Sequence, residues 1–550
     1  MPHRCRIALL ALVLSAPAAA LTRLEAARIL TMDPDRPYAE AMVFDDEGRI
    51  LATGRAEPLR KAYPQAREVR AGDAVVIPGL IDAHGHVLGH GLSLLQADLS
   101  GARSPQEVVE RLRAFAADLP AGAWLLGRGW DQNLWPEKHF PTAAVLDAAF
   151  PDRPVWLERV DGHAGWANRA AMARVERPLQ GDWQPEGGQI LRQGGMPTGV
   201  FVDAAMALVE RLVPPPDEAR LRQALERSMA ALVARGLTGV HDAGVSETVF
   251  ALLRRMADEG ALPLRIRAMA DGDAEALAAR CREGGPYRHP SGRLAMAAVK
   301  LYADGALGSR GALLQQDYSD APGQRGLEVT GMAALRAAMV KARDCGLQVA
   351  THAIGDAANR RVLDLYAEVL GARAGSDHRW RIEHAQIVDP DDLPRFRRLG
   401  VIASMQPTHA TSDMGWAEQR VGPERILGGY AWRRFRDAGV RLALGSDFPV
   451  ESVDPMLGLY AAITRQSTSG EPEGGWMPQE KLTAFEALRG FTVDAAWAAF
   501  DENEVGALRP GLRADFVLLD LDPLRAEPTA LLRHPVRATW VDGRPVWQRP

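Results

Sequence analysis

Two histidines two residues apart, His84 and His86, close the apolar run Pro78-Gly79-Leu80-Ile81-Asp82-Ala83. Side chains on a strand alternate faces, so two such imidazoles at a strand's C-terminal end project the same way and reach one metal ion, with Gly85 leaving room between them. A pair of surface histidines would look the same locally, so the reading turns on what ends the other strands. Lys300 lies in the apolar run Met296–Tyr302, where an unpaired ammonium is expensive. It is either ion-paired or a neutral amine able to take up carbon dioxide as a carbamate, an anion that bridges two metals. His352 and His384 each end an apolar strand, and Asp447 follows Leu442-Ala443-Leu444-Gly445-Ser446. His84, His86, Lys300, His352, His384 and Asp447 therefore arrive on one face. Glu383, beside one of them, has the place of a group that orients a histidine. His90, His241 and His409 also fall near strand ends and stay outside this set.

The elements that must carry these residues are short aliphatic runs alternating with longer helical patterns, the signature of a parallel sheet covered by helices. Eight runs are legible: Ala74–Asp82, Gly239–Asp242, Leu264–Met269, Ala298–Tyr302, Gln348–His352, Trp380–His384, Val401–Met405 and Arg441–Gly445. Polar residues ending nearly every run, and no G-x-G-x-x-G after the first, favour a closed (β/α)₈ TIM barrel over an open α/β sheet. The barrel is expected over residues 76–504. Residues 21–75 and 505–550 read as short antiparallel strands with turn punctuation; neither piece suffices alone, so the two are expected to meet as a small β-sandwich domain. From about 101 to 215 the chain leaves the barrel rhythm, which predicts an insertion subdomain after strand 1, lying over the barrel mouth.

The 550 residues are 47% hydrophobic and 25% charged, a globular composition. A net charge of −5 gives no footing for nucleic-acid binding, so the partner is expected to be a small molecule. Residues 1–20 carry Arg4 and Arg6, the apolar run Ile7–Leu14 and an A-x-A site at Ala18 and Ala20. That is the pattern of a secretory signal peptide cleaved after Ala20, too short for a transmembrane helix; it predicts a secreted or periplasmic protein with no membrane span. Cys281 and Cys345 are the two cysteines beyond this leader; they read as buried small hydrophobes, with one bridge between them as the alternative. Whether the assembly is a monomer or a homodimer stays open.

The sequence resembles the amidohydrolase superfamily, and within it amidohydrolase family 3, the YtcJ-like branch. The resemblance spans most of the chain after the leader. It rests on V-I-P-G-L-I-D-A-H-G-H, G-R-G-W-D, D-G-H-A-G-W-A-N, K-L-Y-A-D-G-A-L-G-S-R, T-H-A-I-G-D, R-I-E-H-A-Q, L-G-S-D-F-P and G-L-R-A-D-F-V-L-L-D, in that order. It implies two divalent metal ions: His84, His86 and Asp447 on the more buried one, His352 and His384 on the other, and N-carboxylated Lys300 as the bridge. Zinc suits imidazole and carboxylate ligands, with Fe, Mn, Co and Ni left open. The implied activity is hydrolysis of an amide-type, non-peptide C–N bond by metal-activated hydroxide, with Asp447 as proton carrier. An ester, lactone or phosphotriester hydrolase on the same site is the alternative, and a secreted non-catalytic binding protein a second. Trp130, His163 and Arg310 lie in these motifs as substrate-binding candidates, each with a bland counterpart: core packing, a structural histidine and a loop salt bridge.

Overall fold

The computed structural model describes residues 21–117, 119–120 and 122–550; the expected leader lies outside them. Eight parallel strands form the centre: β1 (Leu80–Gly85), β2 (Leu237–Val245), β3 (Arg265–Asp271), β4 (Leu294–Tyr302), β5 (Gln348–Ala353), β6 (Arg381–His384), β7 (Ile402–Met405) and β8 (Leu442–Leu444). They are hydrogen-bonded in order from β1 to β8. The circle closes just past the strand ends, where Asp447 N–H donates to the His84 carbonyl (2.7 Å) and His86 N–H to that of Phe448 (2.8 Å). This is the α/β barrel expected from the alternating pattern.

The strands hold because their outward residues are continuous apolar surface under helices. Ile266, Met296, Val299, Leu301, Val349 and Ile382 are buried in one cluster with Leu232, Leu253, Met339 and Leu363 from the surrounding helices. Typical of these is Glu247–Asp258, capped by Ser246 Oγ accepting from Val249 N–H. Inside the barrel three alanines and a methionine, Ala243, Met269, Ala298 and Ala350, form a separate apolar cluster.

The run Ala74–Asp82, expected as one strand, is two. Val75–Pro78 belongs to another sheet, and β1 begins only at Leu80. Proline cannot extend the ladder, and a Cβ on Gly79 would collide with Thr238, so the chain turns there. Val75–Pro78 sits between Thr22–Leu30, with which it runs parallel, and Phe516–Leu519, antiparallel. Both chain ends thereby join one eight-stranded sheet whose interior stacks Phe516 on Trp540 (5.1 Å between centroids) and against Phe44 (6.1 Å).

After β1 the chain builds a six-stranded sheet from Ala97 to Asp203 with its own core around Trp130, Trp135, Trp166 and Leu157. The reading of Cys281 and Cys345 as isolated hydrophobes is corrected: they form a disulfide, with Cα atoms 5.5 Å apart, as bridging requires. It ties the end of helix Ala274–Arg282 to that of helix Met332–Asp344.

Phe516→Ala should remove the centre of the sheet shared by the chain ends. A loss of about 3–5 kcal/mol is expected for a buried Phe→Ala change, read as a lowered midpoint in urea denaturation; an unchanged midpoint would show that this sheet contributes nothing to holding the barrel.

Candidate active site

The seam that closes the barrel also makes the site. Beneath it Asp82, wholly buried, accepts from His84 N–H (3.0 Å), Ser446 N–H (3.0 Å) and Ser446 Oγ–H (2.6 Å), fixing the end of β1 to the turn after β8. Burial nevertheless pushes its carboxyl up to about 7. Gly85 is required less by its neighbouring histidines than by Phe448, whose ring fills the space a Cβ would need. Asp447 and His384 have left-handed backbones, φ +63° and +73°. Such conformations cost about 1–3 kcal/mol and persist where the surroundings over-determine them.

His84 donates its Nδ1–H to Glu383, which is gripped in turn by Arg381; all three are fully buried. That bond leaves Nε2 bare toward the mouth, 3.6 Å from Asp447 Oδ1 and 3.1 Å from Lys300 Nζ. His86 is turned the same way by donating Nδ1–H to the Ala243 carbonyl (2.9 Å), which brings its Nε2 to 3.1 Å from Asp447 Oδ1. His384 Nδ1–H donates to Gln406 Oε1 (2.9 Å). His352 packs on His384 with 4.5 Å between centroids, its Nε2 3.5 Å from the Gly305 carbonyl. His409 faces Asp447 Oδ2 (3.4 Å) and Glu451 (3.2 Å).

Two sets of residues each bring their donor atoms within 4.8 Å of one another: His84, His86 and Asp447, and His384, His409 and Asp447. Asp447 Oδ1 is buried without a hydrogen-bond partner among the described residues. An orphaned carboxylate oxygen between bare imidazole nitrogens is costly unless a cation completes it, so the donors fit a divalent ion. Burial drives His84 down to about 4, which keeps the imidazole in its neutral, ligating form. Burial also lowers Lys300, to about 8, against the opposing pull of Glu383 and Asp447.

The sequence of chain turns brings four of the other five predicted ligands, His84, His86, Lys300 and His384, to Asp447 or its neighbours directly, while His352 joins through its ring. Two lobes of a cavity, about 380 and 430 Å³, meet at His163, His352, His384 and Asp447. The insertion supplies the roof, with Arg159 buried between Asp131 and Asp161. His163 hangs from it, 5.3 Å from the His352 ring, its Nδ1–H donated to Asp203 (2.6 Å). Burial opposes protonation of His163, but the Asp203 carboxylate outweighs it and raises the imidazole to about 9.

Two substrate-binding candidates are placed elsewhere. Trp130 is fully buried in the insertion's core, stacked on Trp135 and donating Nε1–H to the Leu157 carbonyl (2.9 Å); its neighbour Asp131 reaches the cavity instead. Arg310 lies outside both lobes in a salt bridge with Asp320 (3.0 Å). His409, which the sequence places near a strand end but outside an already complete ligand set, sits on the short helix Pro407–Asp413 after β7 and reaches Asp447 from there. His90 bonds Ser228, apart from the cavity.

A barrel with this donor set at the C-terminal ends of its strands is that of a metal-dependent hydrolase. A family model described as the amidohydrolase family, Amidohydro_3, matches residues 67–547, and the chain belongs to that family. It is 32% identical to YtcJ of Bacillus subtilis strain 168, which carries an amidohydrolase name, over 95% of this chain and 98% of that one. It is 29% identical to the N-substituted formamide deformylase of Arthrobacter pascens over 94% and 96%. A crystal structure of a metal-dependent hydrolase from Pyrococcus horikoshii OT3 superposes with a TM-score of 0.75 at 28% identity, covering 92% of this chain and 99% of that one.

Glu383→Gln keeps the shape of the His84 partner but withdraws its charge. Metal content measured by plasma mass spectrometry after graded chelation should reveal an affinity about 10–100-fold weaker; equal retention by variant and wild type would remove Glu383 from the support of the site.

Proposed function

We propose that the chain hydrolyses an amide-type, non-peptide C–N bond in a small molecule, using two divalent ions, with zinc the first candidate. The observation that carries this reading is Asp447, whose two oxygens face two separate groups of imidazoles. His84, His86 and Asp447 would hold one ion; His352 and His384 the other, with His409 as a further donor on that side. Such ions supply activated water at neutral pH and polarise the carbonyl under attack.

Lys300 would complete the pair as a carbamate. Its Nζ lies 3.1 Å from His84 Nε2 in a fully buried position, where an ammonium would repel any cation held by that nitrogen. Loss of the ammonium proton would remove that repulsion, and addition of carbon dioxide to the neutral amine, with release of a further proton, would supply an anionic ligand in its place. Asp447, anchored by the seam and facing the cavity, takes a proton from the attacking water and passes it to the departing nitrogen. His163, held cationic by Asp203, has the charge and position to receive the substrate's carbonyl or carboxylate oxygen. The likeness to a deformylase of N-substituted formamides supports C–N cleavage. Residues 1–20 and the disulfide support a location outside the reducing cytoplasm.

The metal-loaded, leader-free protein should be screened against N-acyl amino acids, formamides, hydantoins, lactones and phosphotriesters. Turnover of at least one C–N substrate class is expected; turnover of lactones or phosphotriesters alone would replace this reading with the ester-type one. With the best substrate, Asp447→Asn should cut kcat by a factor on the order of 10² to 10⁴ while most of the metal stays bound. His163→Ala should raise KM more than it lowers kcat, and the reverse split in steady-state kinetics would count against a binding role.

A further inference from the structure

The barrel carries a second cavity at its opposite end, of about 460 Å³, below the layer of ion pairs that supports the site. Its volume falls in the range of about 300–1,000 Å³ common to small-molecule sites. Two local features open it. The inward residues there are small, Ala295 and Ala298, and β4 bulges between Met296 and Ala298, so Ala297 faces the space with only a methyl group. Met269 and Leu347 line its middle and Phe500, 42% exposed, its mouth. A disulfide-tied turn borders it, because Gly346 follows Cys345.

Five arginines and one carboxylate, Asp377, line this cavity. Most of these charges are matched: Arg381 is paired with Glu383, Arg343 with Asp344 and Asp377 with Arg379. Arg267 and Arg288 share one partner, Asp501, leaving that trio with one positive charge in excess.

At the inner end stands His241, only 2% exposed. Arg381 Nη1–H donates to His241 Nδ1 (3.0 Å). A guanidinium can only donate, so Nδ1 must accept and the neutral ring carries its proton on Nε2. That N–H has no partner among the described residues, although His241 lines the cavity. A donor open to the cavity, beside the Arg267, Arg288 and Asp501 trio and ahead of an apolar passage, is half of a recognition site.

We propose that this cavity binds a small amphiphilic carboxylate, its anionic end on His241 Nε2–H near Arg267 and its apolar tail along Met269 and Leu347 toward Phe500. The site is separate from the metal centre: Arg381 and Glu383 lie between them and close the floor of one and the ceiling of the other. It does not depend on which bond the enzyme cleaves.

Sodium octanoate is the probe, titrated calorimetrically into the full, metal-loaded protein, with 1-octanol and sodium chloride as uncharged and small-anion controls. Saturable one-site binding of octanoate alone is expected, at least tenfold weaker in Ala297→Leu, which fills the passage, and in His241→Phe, which removes the donor. The Asp447→Ala variant should bind as the wild type does. The proposal falls if octanoate does not bind, if 1-octanol binds equally well, if binding survives folded Ala297→Leu and His241→Phe unchanged, or if it disappears in Asp447→Ala. Should both cavity variants misfold, discrimination between octanoate and 1-octanol by the wild type, together with retention in Asp447→Ala, still decides the question.

Discussion

A guanidinium with no exposed surface sits at the middle of the barrel. Arg381 donates to both oxygens of Glu383, to the Ala83 carbonyl (2.6 Å), to Ser404 Oγ (2.6 Å) and to His241. It thus ties β6 to β1, β7 and β2. Burying such a charge is tolerable only when nearly every donor is satisfied, and removing one partner of a buried pair costs about 3–5 kcal/mol. The arrangement admits few alternatives, and that rigidity passes upward: Arg381 fixes Glu383, Glu383 fixes the tautomer of His84, and His84 presents Nε2 to the mouth. The interior of this barrel is therefore organised by charge as well as by apolar packing, the latter of three alanines and a methionine.

The same economy governs the closing seam. Backbone bonds between Asp447 and His84 complete the cylinder and at the same time set two donors opposite one another, so closure and assembly of the site are one event. Three of the chain's left-handed residues, Asp447, His384 and Ala385, lie at the mouth, braced by Asp82 and Gln406. The insertion adds the side of the cavity that strands cannot reach, through residues at the ends of its own strands such as Asp161 and His163.

Much of this was legible in the residues. The barrel followed from alternating runs, and the donors His84, His86, Lys300, His352, His384 and Asp447 from polar residues ending them, because strand termini impose position with little freedom. Glu383 was readable as a partner of a histidine for the same reason. What escaped was set by tertiary packing. Gly-Arg-Gly-Trp-Asp does not tell which of Trp130 and Asp131 faces outward, since the turn after the strand decides it. His409 depends on the path of a short helix begun by Pro407. The pairing of Cys281 with Cys345 needs two helix ends to approach, and the division of Ala74–Asp82 between two sheets needs a partner strand from the far end of the chain.

That last feature orders events in time. Val75–Pro78 has Phe516–Leu519 along one edge, and only Gly79 separates it from the strand that carries His84 and His86. During synthesis this edge stays bare until residues 516–519 have emerged, a pairing across most of the chain and correspondingly slow to form. The first two ligands therefore rest on a support completed last. A chain released early by the ribosome would carry every residue of the metal centre and yet lack the brace beneath it, so completeness of translation is itself a precondition for a chemically competent mouth.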